Sequence, residues 1–294
     1  MIVPDIIRMV QKEHEGAARK LDLNTTTISQ VPFSGTVAGV DGGISIKKIP
    51  GVTLVLLRAV STVMKYDAGE LKRTEYIGMG EPVVIADELD VPGLHRLRKE
   101  SSRALEACQR ADMILLDGSL VLQPQDKPAS TARKLYKEVM AKYTALYQES
   151  LDSGKVLAGV VEDSRASTLT GKNDTLVLSY KLKPGEMTES FEYSKHSREH
   201  PVLSDLPEEH AKRIRFFYYR PNNDLPIRVE YYDNGKFRPE DLAAWLTSLA
   251  VSPDYGIPAP IIEADLRAKI KIKEAEGYWA SMGLKPRRER RPFR

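Results

Sequence analysis

Asp41 stands inside the run Ala38-Gly39-Val40-Asp41-Gly42-Gly43-Ile44-Ser45, whose other members are apolar, small or glycine. Burying an unpaired carboxylate is costly, so a strand that keeps one gives it a partner or a metal. The adjacent glycines lower strand propensity and let another backbone or a ligand approach closely. A second apolar run, from Asp112 through Met113-Ile114-Leu115-Leu116 to Asp117-Gly118-Ser119-Leu120, again ends on Asp-Gly. Each Asp-Gly alone reads equally well as a common turn. Two strands that both deliver a carboxylate into a glycine-opened turn point to a divalent metal site.

Two further acids break the apolar pattern. A helix predicted over 94–110 presents Leu94, Leu97, Ser101, Ala104, Leu105 and Cys108 on one face, with Glu100 at its edge. In a last helix, predicted over 261–282, Asp265 shares a stripe with Ile261, Ile262, Ala268 and Ile272. Asp41, Glu100, Asp117 and Asp265 form an oxygen-only set that suits Mg2+ or Mn2+ rather than zinc. Crowded carboxylates repel one another until a cation joins them. Two such ions about 3.5–4 Å apart hold the attacking and leaving oxygens of a phosphodiester displacement. The four acids therefore point to metal-dependent phosphodiester cleavage. His14, His95, His196, His200 and His210 show no metal-binding spacing.

The elements that must position these acids alternate in a definite order. Apolar runs around Asp41, over 52–63 and over 71–79 are joined by short turns, which makes an antiparallel meander, because parallel neighbours need a crossover of about a dozen residues or more. Then come the helix over 94–110, the Asp117 strand, a helix over 129–152 stopped by Ser153-Gly154, and a strand over 155–161 that runs into Glu162-Asp163-Ser164-Arg165. Strands joined by crossover helices lie parallel. The simplest packing sets the Asp117 strand beside the Asp41 strand, pointing the same way. Residues 166–211 lose this regularity and read as an insertion of loops around a strand at 175–180, too poor in apolar residues to build their own core. A hairpin over 214–232 interleaves Arg and Tyr, which suits either a nucleic-acid contact or a packed sheet face. A helix from Pro239 to about 251 precedes the last one.

The 294 residues, 41% hydrophobic and 29% charged, suffice for one large or two ordinary soluble domains. We expect a helix and linker over 1–30 that supplies a dimer contact, a single domain over 31–283, and a basic tail over 284–294. Net charge is only +3, yet that tail concentrates arginine and could dock on phosphates or an acidic partner. Cys108 is the only cysteine, which excludes an intrachain disulfide and a Cys-rich zinc site and fits a reducing cytoplasm; its spacing places it in a core. No apolar stretch reaches the roughly 18 residues that span a bilayer, and no signal-peptide pattern opens the chain.

The succession Gly39-Val40-Asp41-Gly42-Gly43, helical Glu100, Leu116-Asp117-Gly118-Ser119-Leu120, Gly159-Val160-Val161-Glu162-Asp163-Ser164 and Pro258-Ala259-Pro260-Ile261-Ile262-Glu263-Ala264-Asp265 resembles the NurA nuclease family. The resemblance runs from about residue 37 to 272, and the Asp-Gly-Ser-Leu element is its most specific piece. It implies an α/β fold of the RNase H-like kind, with a mixed sheet of antiparallel meander followed by parallel strands, flanked by helices. It further implies a Mn2+- or Mg2+-dependent DNA nuclease with two ions: a 5′ to 3′ exonuclease on single- and double-stranded DNA with single-strand endonuclease activity. Such proteins form homodimers and act with the hexameric HerA translocase in end resection for recombination repair. On this resemblance Asp41, Glu100, Asp117 and Asp265 hold metal and catalyse. Glu162 stands where some members carry Lys, so substrate positioning would fall to Ser119, Lys155, Ser164 or Arg165, and Asp265 stands where some carry His, which keeps a metal ligand. Two other readings compete: a non-catalytic RNase H-like module that binds DNA or clamps a motor, and a related two-metal ribonuclease.

Overall fold

Apolar runs that alternate between two covered faces build one large sheet. The computed structural model describes residues 3–128, 131–196, 200–252 and 255–284. In chain order the elements are α1 (Val3–Lys20), β1 (Thr25–Thr27), β2 (Gly35–Ile49), β3 (Val52–Asp67), β4 (Glu70–Ile77), β5 (Val83–Asp87), α2 (Pro92–Cys108), β6 (Met113–Asp117), α3 (Arg133–Ser153) and β7 (Val156–Val161). There follow α4 (Asp174–Leu178), β8 (Glu186–Thr188), β9 (Phe191–Glu192), α5 (Tyr193–His196), α6 (Glu208–Ala211), β10 (Ile214–Arg220), β11 (Ile227–Tyr232), α7 (Pro239–Ser248), β12 (Ala250–Ser252), β13 (Tyr255–Pro258), α8 (Ala259–Ala268) and α9 (Ile272–Ser281).

The sheet runs β1-β8-β10-β11-β7-β6-β2-β3-β4, with β5 paired to β3 and β9 to β10. Its centre, β2-β6-β7, is parallel, as the two crossover helices α2 and α3 require. The meander β2-β3-β4 and the hairpin β10-β11 are antiparallel. This is the mixed, RNase H-like α/β sheet expected from the order of elements.

Side-chain alternation divides the core between the two faces. Val40, Ile114, Leu116 and Leu157 point to the side covered by α2 and α3, where they meet Leu97, Val139 and Tyr147. Val37, Met113, Leu115 and Val160 point to the other side, against Leu242, Leu246, Ile257 and Ile261 from α7 to α8. Cys108 is buried in the first of these cores, as its spacing predicts, and burial pushes its thiol up to about 11. No helix among the described residues is long and apolar enough to cross a membrane.

Two local expectations are corrected, and one open choice is resolved. The stretch at 175–180 is not a strand: α4 forms there because the Asn173 side chain caps it by accepting from the Leu176 N–H at 2.9 Å. The buried Asp174 carboxylate gathers Leu169 N–H, Thr170 N–H and the Thr168 and Thr170 hydroxyls. The predicted helix over 261–282 is two helices, α8 and α9, bent apart at Lys269, whose backbone is extended. No Pro or Gly marks that break; it lets Ala275 and Trp279 reach a separate core around Leu54 and Leu56. Of the two readings of the β10-β11 hairpin, the packed sheet face is the one the structure shows. The hairpin lies inside the sheet between β8 and β7, with Phe216, Phe217, Tyr218 and Tyr219 fully buried. The insertion adds β8 and β9 to the sheet and sends Leu178, Leu182, Tyr193 and Val202 into the α2/α3 core. The predicted helix start at 129 and the basic residues 285–294 lie outside the described residues.

Candidate metal centre

The parallel register fixes the first pair of acids. Val37, Ala38, Gly39 and Val40 of β2 stand beside Met113, Ile114, Leu115 and Leu116 of β6, so the next rung sets Asp41 beside Asp117. Residues on one rung of a parallel pair project to the same face, from backbones about 4.8 Å apart. Here that face is the one shared with Val37, Met113, Leu115 and Ile261. Asp117 ends its strand because Gly118 turns the chain in the left-handed region, at φ +115°, and its carbonyl passes directly over Gly159, where a Cβ would block it.

Glycines also admit the elements that carry the other two acids. A Cβ on Gly39 would overlap the Pro260 carbonyl, and one on Gly43 the Ala268 carbonyl, so α8 lies directly on β2. The lengths agree: eight helical residues rise about 12 Å and four strand residues about 13 Å. Asp41 sits between these two contacts. Asp265, one turn before the second, lines a small cleft with Asp117, Glu162 and Tyr255. Asp265 is exposed rather than sheltered, and Ile272, placed on its stripe by sequence, is 78% exposed in a different helix. Glu100 comes from the opposite face, where the absence of a side chain on Gly42 makes room for its carboxylate. Pairing between β2 and β6 stops at the rung before Asp41, so acids from both faces reach the same open end of β6.

Electrostatics register the crowding. Asp41 is 7% exposed, and burial raises its carboxyl above the usual range, with Asp265 adding to the shift against the Gly42 N–H and Arg96. Glu100, 8% exposed, is pushed up to about 8 by burial, opposed by Arg96 and reinforced by Asp41 and Asp117. Asp117 is pushed up to about 7, again first by burial and then by Asp41, Asp265 and Glu162. The cation inside this group is Arg96, whose guanidinium donates to Glu100 at 2.9 Å from one turn earlier on α2.

Among the described residues no three His, Cys, Asp or Glu side chains already close around a single point. Glu100 is turned to Arg96, and like charges without a divalent ion hold apart. The set nevertheless fits a hard cation: its donors are oxygens, they come from four elements to one strand end, and burial and mutual repulsion destabilise the charged forms of Asp41, Glu100 and Asp117.

A cavity of about 590 Å3 opens beside Glu100 and Asp117, lined also by Arg96, Ser164, Arg165 and His200. Ser164 and Arg165 thus lie near the acids. Ser119 also lines this cavity, but its hydroxyl donates to Glu230 at 2.5 Å. Lys155 is placed elsewhere: it precedes β7 at the end opposite the acids, where its ammonium meets the Cys108 carbonyl. Glu162 accepts from the Tyr255 hydroxyl at 3.2 Å. Sequence reasoning missed Arg96, although its spacing of four from Glu100 marks a helical neighbour. It also missed Glu230, which no local pattern exposes, because its partners Ser119 and Leu120 are over a hundred residues away.

Comparison with known proteins places this geometry. Residues 35–270 match the family model described as NurA domain. The structure is similar to the NurA nuclease from Sulfolobus solfataricus, at 16% identity and a TM-score of 0.63 over 96% of this chain and 97% of that one. It is similar to a NurA bound to dAMP and manganese, at 12% identity and a TM-score of 0.56 over 97% and 96% of the two chains. A NurA with manganese gives 12% identity and a TM-score of 0.58 over 95% and 96%. No curated protein matches by sequence.

Proposed function

We infer that this chain, which belongs to the NurA domain family, is a metal-dependent nuclease that cuts DNA, with Asp41, Glu100, Asp117 and Asp265 as its metal-holding catalytic acids. The observation that carries the reading is the shared rung of Asp41 and Asp117 at a strand end that α2 and α8 approach from opposite faces. Manganese and dAMP in a related NurA structure support the metal and substrate class. Mn2+ or Mg2+ bound there would lower the pKa of a water and neutralise charge on the scissile phosphate. The protein's part is to hold and orient. Strand register fixes Asp41 and Asp117, Gly42 admits Glu100, and α8 brings Asp265, while Ser164 and Arg165 stand in the adjoining cavity where a DNA strand would lie.

From the family we further propose 5′ to 3′ exonuclease action on single- and double-stranded DNA, single-strand endonuclease action, homodimerisation and partnership with a HerA-type translocase. Residues 31–283 would act as one nuclease unit, with 166–211 as its insertion, 1–30 as a dimer contact and 284–294 as a phosphate- or partner-binding tail. The test is degradation of end-labelled DNA and RNA with Mn2+ and with EDTA. We expect Mn2+-dependent loss of DNA, reduced on the order of 10²–10³-fold in Asp41→Ala, the size of effect seen when one transition-state stabiliser is removed. Equal behaviour of wild type and Asp41→Ala would end the reading.

A further inference from the structure

We propose that Arg96 is a built-in counter-ion of the acid cluster, a positioning residue that holds Glu100 in the metal-free protein and yields it when a divalent cation binds; this rests on the metal-dependent reading above. Arg96 and Glu100 lie four residues apart on α2, so their side chains share a face. Exposed pairs of this spacing contribute little. This pair differs: the Glu100 side chain is only 11% exposed, and its carboxylate is lodged over Gly42.

The Arg96 charge acts beyond its hydrogen-bonded partner. It favours the ionised forms of Asp41 and Asp117 and also of Asp126, which lines the same cavity. The other basic groups around that cavity do not share the task. Arg228 is committed to Glu230 at 2.9 Å and to the Tyr218 hydroxyl at 3.0 Å, while Arg165 lies exposed. The next strand end carries Glu162 and Asp163, which add negative charge. Guanidinium keeps its proton at every working pH, so the compensation is permanent. A divalent cation drawn to the Glu100 oxygen that accepts from Arg96 at 2.9 Å must displace or share that hydrogen bond and bear the repulsion of a fixed positive charge. Arg96 and a divalent cation therefore compete for Glu100, and the competition is reciprocal in free energy.

The experiment is Arg96→Met, which keeps an apolar stem and removes the charge, with Arg96→Lys as the charge-conserving control. Melting temperature is measured in EDTA and in Mg2+, and Mg2+ affinity by calorimetry at pH 8.5. We expect Arg96→Met to lower the melting temperature in EDTA far more than in Mg2+, and to bind Mg2+ roughly tenfold more tightly, the effect of one neighbouring charge at contact range. Arg96→Lys should sit close to wild type in both. A purely structural pair would show equal losses with and without Mg2+, and that result, or unchanged or weakened affinity in Arg96→Met, overturns the proposal. Failure of the wild type to bind Mg2+ or Mn2+ at all would instead overturn the nuclease reading.

Discussion

Two clusters of buried charge lie on one sheet, and they solve the same problem in opposite ways. In the antiparallel half, Glu230 accepts from Arg228, Ser119 and the Leu120 N–H, while Arg228 stacks 3.9 Å from the Phe216 ring and donates to Tyr218, which in turn donates to Asp174. Arg228, Glu230 and Asp174 are 3%, 2% and 0% exposed, and each has its partners within the chain. In the parallel half, Asp41, Glu100 and Asp117 have raised carboxyl pKa values and share one arginine. Burial therefore does not identify function by itself. A closed network is scaffold, whereas an under-compensated one at an open strand end has room for a ligand.

The contrast can be broken at either cluster. Arg228→Met leaves Glu230 buried and uncompensated, and we expect it to cost about 3–5 kcal/mol of stability by denaturant unfolding; a smaller loss than in an exposed-pair variant such as Arg238→Met would refute the scaffold role. Asp117→Asn acts in the other direction. It removes one of several repelling charges, so the metal-free protein should melt about 2–4 °C higher, the shift that about 1 kcal/mol gives a chain of this size class, although DNA cleavage is lost. A lower melting temperature in EDTA would show that Asp117 is compensated after all.

Gly42→Ala sharpens the boundary between fold and site. Its new methyl group meets the carboxyl end of the Glu100 side chain, not backbone, so we expect a smaller loss of unfolding free energy than in Gly39→Ala and roughly tenfold weaker metal binding, a loss of the size that follows from disturbing groups which orient a metal's ligands. Gly39→Ala, whose methyl would meet the Pro260 backbone, should instead impair folding.

A further test concerns pH. Glu100 is pushed to about 8 in the folded protein from an ordinary 4.5, so between those values the folded state holds more protons than the unfolded one. Its stabilising contribution is complete below about 4.5 and is lost as pH rises through about 8. In EDTA, wild type should therefore lose melting temperature steadily relative to Glu100→Gln between pH 5 and pH 8. Mg2+ should abolish that difference in slope, since the cation replaces the proton. Parallel melting profiles in EDTA would refute it.

Much of this was legible from residues. The meander, the crossover helices and the parallel pairing of the Asp41 and Asp117 strands follow from turn lengths and helix placement, because short links and crossovers leave few topologies. What escaped depended on distant packing. The break at Lys269 has no local signal and is set by the separate core around Trp279. The strand-like 175–180 folds as a helix because Asn173 and Asp174 satisfy its start and the preceding loop. Lys155, expected among the substrate-positioning groups, stands at the start of the strand that leads to Glu162, and a strand's two ends are about 20 Å apart over six residues. Asp265 was identified by a stripe that does not exist as one helix, and it reaches the acids through the seating of α8 on Gly39 and Gly43.

Because β6 stops where β2 continues, the two strand acids owe their spacing to main-chain geometry alone, while the helices that complete the set approach from separate layers. Either layer can drift, lengthen or accept an insertion without altering the distance between Asp41 and Asp117. The residue delivered by α8, or the one that follows β7, can therefore be exchanged while the Asp41–Asp117 pair keeps its place on the sheet.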